Sequence, residues 1–162
     1  MHEVDDMMAN YQERKRQLNI AKFQLEHFTG MSENDLIEAM CFSHPEGERV
    51  DSSELSDKTA KTALSVENRK NQIDDDLYQF YFYQYQELYN RLSFFEYALT
   101  QLSNGLADIM TDMVIHKFGW DELSAKYHVS RTTIGKYRKK AVIELEKIYS
   151  YRDQQVMRYI LS

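Results

Sequence analysis

Seven of the chain's basic residues fall between positions 116 and 140: Lys117, Lys126, Arg131, Lys136, Arg138, Lys139 and Lys140, against two acids, Asp121 and Glu122. That is a local balance of +5 on a 162-residue chain whose net charge is −6. Guanidinium and ammonium groups gathered in this way hold phosphate oxygens and displace counterions, so the chemistry on offer is contact with a polyanion. Elsewhere the signs reverse. Residues 1–115 carry 10 basic against 21 acidic side chains, and residues 141–162 carry three of each. One end is suited to an anion and the other is kept off it. Other chemistry has little support. Cys41 is the single cysteine, and Cys41 with His44 gives two ligands, too few for a metal site. There is no Gly-rich phosphate loop and no His/Asp/Ser constellation, so neither an enzyme nor a cofactor is expected.

Groups that hold phosphates need a rigid support, and the stretch Trp120–Ala141, WDELSAKYHVSRTTIGKYRKKA, has the spacing of a helix-turn-helix. Leu123 and Tyr127 lie one turn apart on a first helix, and Val129 enters the turn. Ile134, Tyr137 and Ala141 then recur at three and four along a second helix, so each helix has an apolar stripe to press on the other. Ser124 stands where two steeply crossing helices come closest. Ser130 is the expected N-cap of the second helix. His128 occupies the turn position that favours positive φ, which His tolerates better than branched residues do. Leu106, Ile109, Met110, Met113, Val114 and Phe118 predict a supporting helix over 106–118. His116 and Lys117 fall at its C-terminal end, where positive charge suits the helix dipole. Gly119 ends that helix, and Trp120 is expected to lay its ring between the three.

The rest of the chain reads as long helices. One Pro, five Gly and 43% hydrophobic residues favour an all-α fold with a core. Two regions are expected: a helical part over 1–104 for oligomerisation or partner docking, and a DNA-binding part over 105–162. Val4, Tyr11, Leu18 and Leu25 recur by sevens, with Met7, Ala21 and Phe28 three later and Arg14 interrupting the row; they predict a helix over 3–28 with a coiled-coil-like seam. Thr29-Gly30 ends it, and Ser32 with Asp35 begins a short helix over 33–42. Residues 43–56, SHPEGERVDSSELS, read as a loop, followed by a helix over 57–69. From 71 to 102, two offset rows, Tyr78-Tyr85-Leu92-Leu99 and Tyr81-Leu88-Phe95-Leu102, predict a helix of about thirty residues. The run YQFYFYQYQELY at 78–89 exceeds that seam. Because Asp74–Asp76 precede it and almost no base is interleaved, it reads as core or subunit contact rather than a surface for stacking bases. No apolar run suits a membrane span or a secretion signal, so a cytoplasmic protein without membrane contact is expected.

The order Trp120-x-Glu122-Leu123-Ser124, Val129-Ser130-x-Thr132-Thr133-Ile134, then Lys139-Lys140-Ala141 and Leu145 resembles the region of bacterial sigma factors that reads the minus-35 promoter element. It is closer still to small sigma-like regulators of phages and prophages of low-GC Gram-positive bacteria, of the ArpU and RinA late-transcription type. The resemblance covers about 106–149. Arg49–Ser53 with Ser56–Ala60 is similar to a serine-rich element of such phage proteins.

The resemblance implies promoter control through double-stranded DNA, alone or beside RNA polymerase. With the second helix in a major groove, Ser130, Arg131, Thr132, Thr133 and Lys136 become the base-reading candidates, and Gly135 lets the backbone come close. Lys126, Tyr137, Arg138, Lys139 and Lys140 become the phosphate candidates. Two or three base contacts worth about 1–3 kcal/mol each are too few for tight specific binding, so a homo-oligomer, with a dimer favoured, or docking on polymerase is implied. No stretch suited to melting a minus-10 element is present, which points to an accessory regulator rather than a complete sigma factor. Two rivals remain: a phage small terminase subunit that marks DNA for packaging, and a protein-interaction module that binds no DNA.

Overall fold

The computed structural model describes residues 2–32, 34–36, 55–103 and 105–162, and the expected all-α class holds: among these residues there is no strand. The helices are α1 (His2–Glu26), α2 (Leu55–Thr100), α3 (Leu106–Val114), α4 (Trp120–Tyr127) and α5 (Arg131–Ile160). None is long and apolar enough to cross a membrane. Residues 43–54 of the loop expected over 43–56 and most of the expected helix over 33–42 lie outside the described residues.

Two boundaries differ from expectation. The segments over 57–69 and 71–102 are one helix of 46 residues that already begins at Leu55. The apolar rows lapse between Arg69 and Asn71, yet no Gly or Pro stands there, and a lapse in amphipathicity does not interrupt backbone hydrogen bonding. The supporting helix, expected to run to Phe118, stops at Val114; the chain then turns through Lys117 at φ 61°.

The described chain forms two compact units, Met1–Ile20 with Gln86–Ser162, and Ala21–Tyr85. In the second unit α1 ends at Glu26, and Gly30 takes φ 80° so that Met31 N–H donates to Asp74 Oδ1 at 2.7 Å. Ser32 Oγ accepts from the Asp35 N–H, as an N-cap should. Phe28 meets Tyr78 and Tyr81 edge-on, with centroids 5.4 and 6.0 Å apart. Phe80 and Tyr83, for which core or a subunit contact was expected, are exposed within the chain.

In the first unit the seven-residue rows supply the core. Val4, Met7, Tyr11 and Leu18 of α1 are buried, as are Leu92, Phe95 and Leu99 of α2. The Tyr11 ring lies 5.9 Å from Phe95, and its hydroxyl donates to Glu96 at 2.6 Å. Arg14, which breaks the row, turns out to pair with Asp6 at 3.0 Å. Three polar contacts join this helical frame to the C-terminal helices. Gln12 Nε2 donates to the Val114 and Ile115 carbonyls, which a helix end leaves without partners. Glu144 accepts from the Ser103 N–H and hydroxyl, which lowers its pKa. Arg152 donates to Glu3 at 2.8 Å and lies over the rings of Tyr149 and Phe94. The boundary expected near residue 104 thus falls inside one compact unit.

Candidate nucleic-acid interface

Helices α3, α4 and α5 pack on one another around Ile109, Leu123 and Ile134, with Met113, Phe118, Tyr127, Val129 and Tyr137 at the margin. Three residues, His128–Ser130, connect α4 to α5. His128 takes φ 53° and ψ 41°, the left-handed conformation that reverses the chain. Ser124, expected at the closest approach, instead closes the turn: its hydroxyl donates to the Val129 carbonyl. Ser130 caps α5, accepting the Thr133 N–H at 3.2 Å and meeting the Thr133 hydroxyl at 2.9 Å.

A buried acid that the periodicity did not reveal holds this cluster. Asp112 of α3 is 5% exposed and accepts from Lys126 Nζ and the Tyr127 hydroxyl of α4, while His116 Nδ1 lies 2.9 Å from its other oxygen. Burial pushes its pKa up, but those donors outweigh burial and bring the carboxyl to about 2. The signal in the sequence was an acid within an apolar helical run; its partners lie 14 and 15 positions away and could not be read from spacing.

The candidate residues divide by direction. At 100° per residue, Thr132, Lys136 and Lys139 share one side of α5, and all three are exposed. Lys136 and Lys139 have no acid within ion-pair distance among the described residues. Lys140 stands beside them, 3.9 Å from Glu144. Ser130 and Thr133 are occupied in the cap. Arg131 points the other way: its guanidinium grips the Asp121 carboxylate of α4 through two hydrogen bonds, holding the carboxyl below its ordinary range. Lys126 is held by Asp112 and lies 5.1 Å from the centroid of the Phe118 ring. Tyr137 is half-buried against the cluster, and Arg138 is partly buried too.

Gly135 also has a different role from the one expected. A methyl group there would stand 3.4 Å from Trp120 Cζ3, ordinary contact distance, so it is the Trp120 ring that lies over this glycine. Trp120 lies across α5 from outside, 46% exposed, not between three helices.

No protein-family model matches the chain, and no curated protein or solved structure shows significant similarity to it.

Proposed function

We propose that this protein is a sequence-specific double-stranded DNA-binding regulator of transcription, with α4 and α5 serving as a sigma-like helix-turn-helix that acts at promoters beside RNA polymerase. One observation carries the reading. The first turns of α5 present Thr132, Lys136 and Lys139 outward on a single side, with neither lysine neutralised by an acid among the described residues, on a helix whose opposite side is fixed by Ile134 and Ala141. A helix so placed can enter a major groove end-first. Lys136 and Thr132 then reach base edges, Lys139 and Lys140 hold phosphates, and Arg131 can join once Asp121 releases it.

The test is selection of bound fragments from the encoding genome at near-physiological salt, followed by fluorescence anisotropy on the winners. Affinity should fall steeply as salt rises. Lys136→Ala should weaken binding by about tenfold and relax preference at one position, while Lys140→Ala should weaken all sequences alike. Binding that ignores salt, or no enrichment of any fragment, would overturn the proposal.

A further inference from the structure

The side of α5 that carries Thr132, Lys136 and Lys139 does not end at the basic turns. Continued at helical spacing it runs through Ile143, Lys147, Ser150, Gln154, Met157 and Leu161, and every one of these residues is exposed. The steps from Ile143 onward are four, three, four, three and four, the spacing of a two-helix seam, with apolar Ile143, Met157 and Leu161 and polar Lys147, Ser150 and Gln154 in the row. The opposite side, Ile134, Ala141, Leu145 and Tyr149, is buried in the protein's own core. So α5 has one face spent on folding and a second, regular face left open.

We infer that the open face of α5 from Ile143 to Leu161 pairs in parallel with the same face of a second copy of this chain. Three observations select that occupant. The first is charge. In a parallel pair the residue flanking one seam meets the residue five positions further on in its partner. Asp153 and Arg158 are five apart and flank the seam on opposite sides; Asp153, whose Oδ1 accepts from Arg152 within the chain, is placed to meet the other copy's Arg158 with its second oxygen, twice by symmetry. The second is area. Ile143, Tyr151, Met157, Ile160 and Leu161 are 53–79% exposed. Together they offer on the order of 700 Å², more than the apolar patch of an ordinary monomer and close to the roughly 800 Å² that each side of a stable interface buries.

The third is the groove beside the seam. Val4 and Glu3 of α1 and Tyr149, Asp153 and Met157 of α5 line a space of about 1100 Å³. About two turns of a helix 10–12 Å wide fill on the order of 1000 Å³. The Tyr149 hydroxyl in this wall is buried with no hydrogen-bond partner among the described residues, a costly state that an arriving polar group relieves. In the same register the second copy's Tyr151 stands beside Glu146, one turn from that hydroxyl.

The inference does not depend on DNA and is tested without it, so either proposal can fail alone. Sedimentation of the full chain over a concentration series should show a dimer at about 20 μM. Asp153→Arg and Arg158→Asp each place like charges together and should weaken the dimer about tenfold, while the double variant should recover to within about threefold. Both sites are exposed or only lightly packed, and circular dichroism checks that each variant stays helical. Orientation has its own readout. In a Cys41→Ser background, Met157→Cys should oxidise to a cross-linked dimer, because equivalent seam positions in a parallel pair come within disulfide reach. A chain still monomeric at about 100 μM overturns the inference, as does a dimer indifferent to both single variants, a double variant no better than the singles, or a Met157→Cys dimer that does not cross-link.

Discussion

Asp112 and Asp121 are the side chains on which the orientation of the candidate interface turns, and they act in opposite ways. Asp112 is the one buried charged residue among those described; Lys126 and Tyr127 tie it to α4, and His116, just past the end of α3, meets its other oxygen. Replacing it with Asn removes the charge that holds Lys126 and puts an amide NH2 where one carboxylate oxygen accepted, so Asp112→Asn should destabilise the protein by about 2 kcal/mol in urea melts at pH 7. Its depressed pKa fixes the direction of the acid response. A carboxyl ionised more readily when folded stabilises above its ordinary value and loses that contribution as pH falls through about 2. Stability should therefore decline between about pH 4 and pH 2, and the Asn variant should lack that part of the decline. Asp121 is exposed and holds only Arg131. Asp121→Ala should leave folding intact and tighten DNA binding about threefold by freeing the guanidinium, with Arg131→Ala in the same background removing the gain. Their distant partners were not legible in the sequence, because periodicity follows apolar residues and Lys126, Tyr127 and Arg131 stand ten or more positions from the acids they meet.

At the scale of elements, the parts that could be read were those whose apolar rows meet a core. Val4, Met7 and Tyr11 on α1, Leu92, Phe95 and Leu99 on α2, and Ile134 and Ala141 on α5 were expected at core positions and are buried. The Ser130 cap and the left-handed His128 were likewise legible, since both follow from local backbone chemistry. Element ends were not. The long α2 hides its continuity behind a lapse in amphipathicity, and α3 stops early because Lys117 takes positive φ, which no local residue type announces. The exposed side of α5 was invisible for a related reason: a stripe that changes from basic to neutral to apolar has no single hydropathy period. Gly135 gives a test at this scale. A methyl there meets Trp120 at ordinary contact distance and removes the helix cost of glycine, so Gly135→Ala should raise stability by about 0.5–1 kcal/mol. Gly135→Leu should displace the ring, read as a shift in the emission of the chain's single tryptophan.

For the whole molecule, the polarity of charge and the polarity of α5 agree. The acidic residues collect before position 116, the basic ones gather about the first turns of α5, and the open seam occupies its far end. Thr132 and Ser150, Lys136 and Gln154, and Lys139 and Met157 are each 18 positions apart, about five whole turns, so the seam and the basic stripe are in helical phase. If two copies join along the seam and the proposed function holds, their basic stripes turn toward one another and fork across a duplex placed between them. The selected DNA should be an inverted repeat with half-sites centred within about one helical turn, and methylation interference should show protection on facing grooves. A direct repeat, or half-sites several turns apart, would contradict that geometry.

That α5 is a single helix of 30 residues has a further consequence, for dose. With no break between Arg131 and Ile160, no hinge separates the proposed pairing end from the proposed DNA-binding end, and if dimers hold DNA better than single chains do, by linkage DNA also favours the dimer. Below the dissociation constant of the dimer, occupancy of an operator should rise with about the square of protein concentration, and the Asp153→Arg variant should need more protein to reach the same steep response. The molecule would then act as a threshold device, indifferent to a few copies in the cell and decisive once its own synthesis has passed a set level.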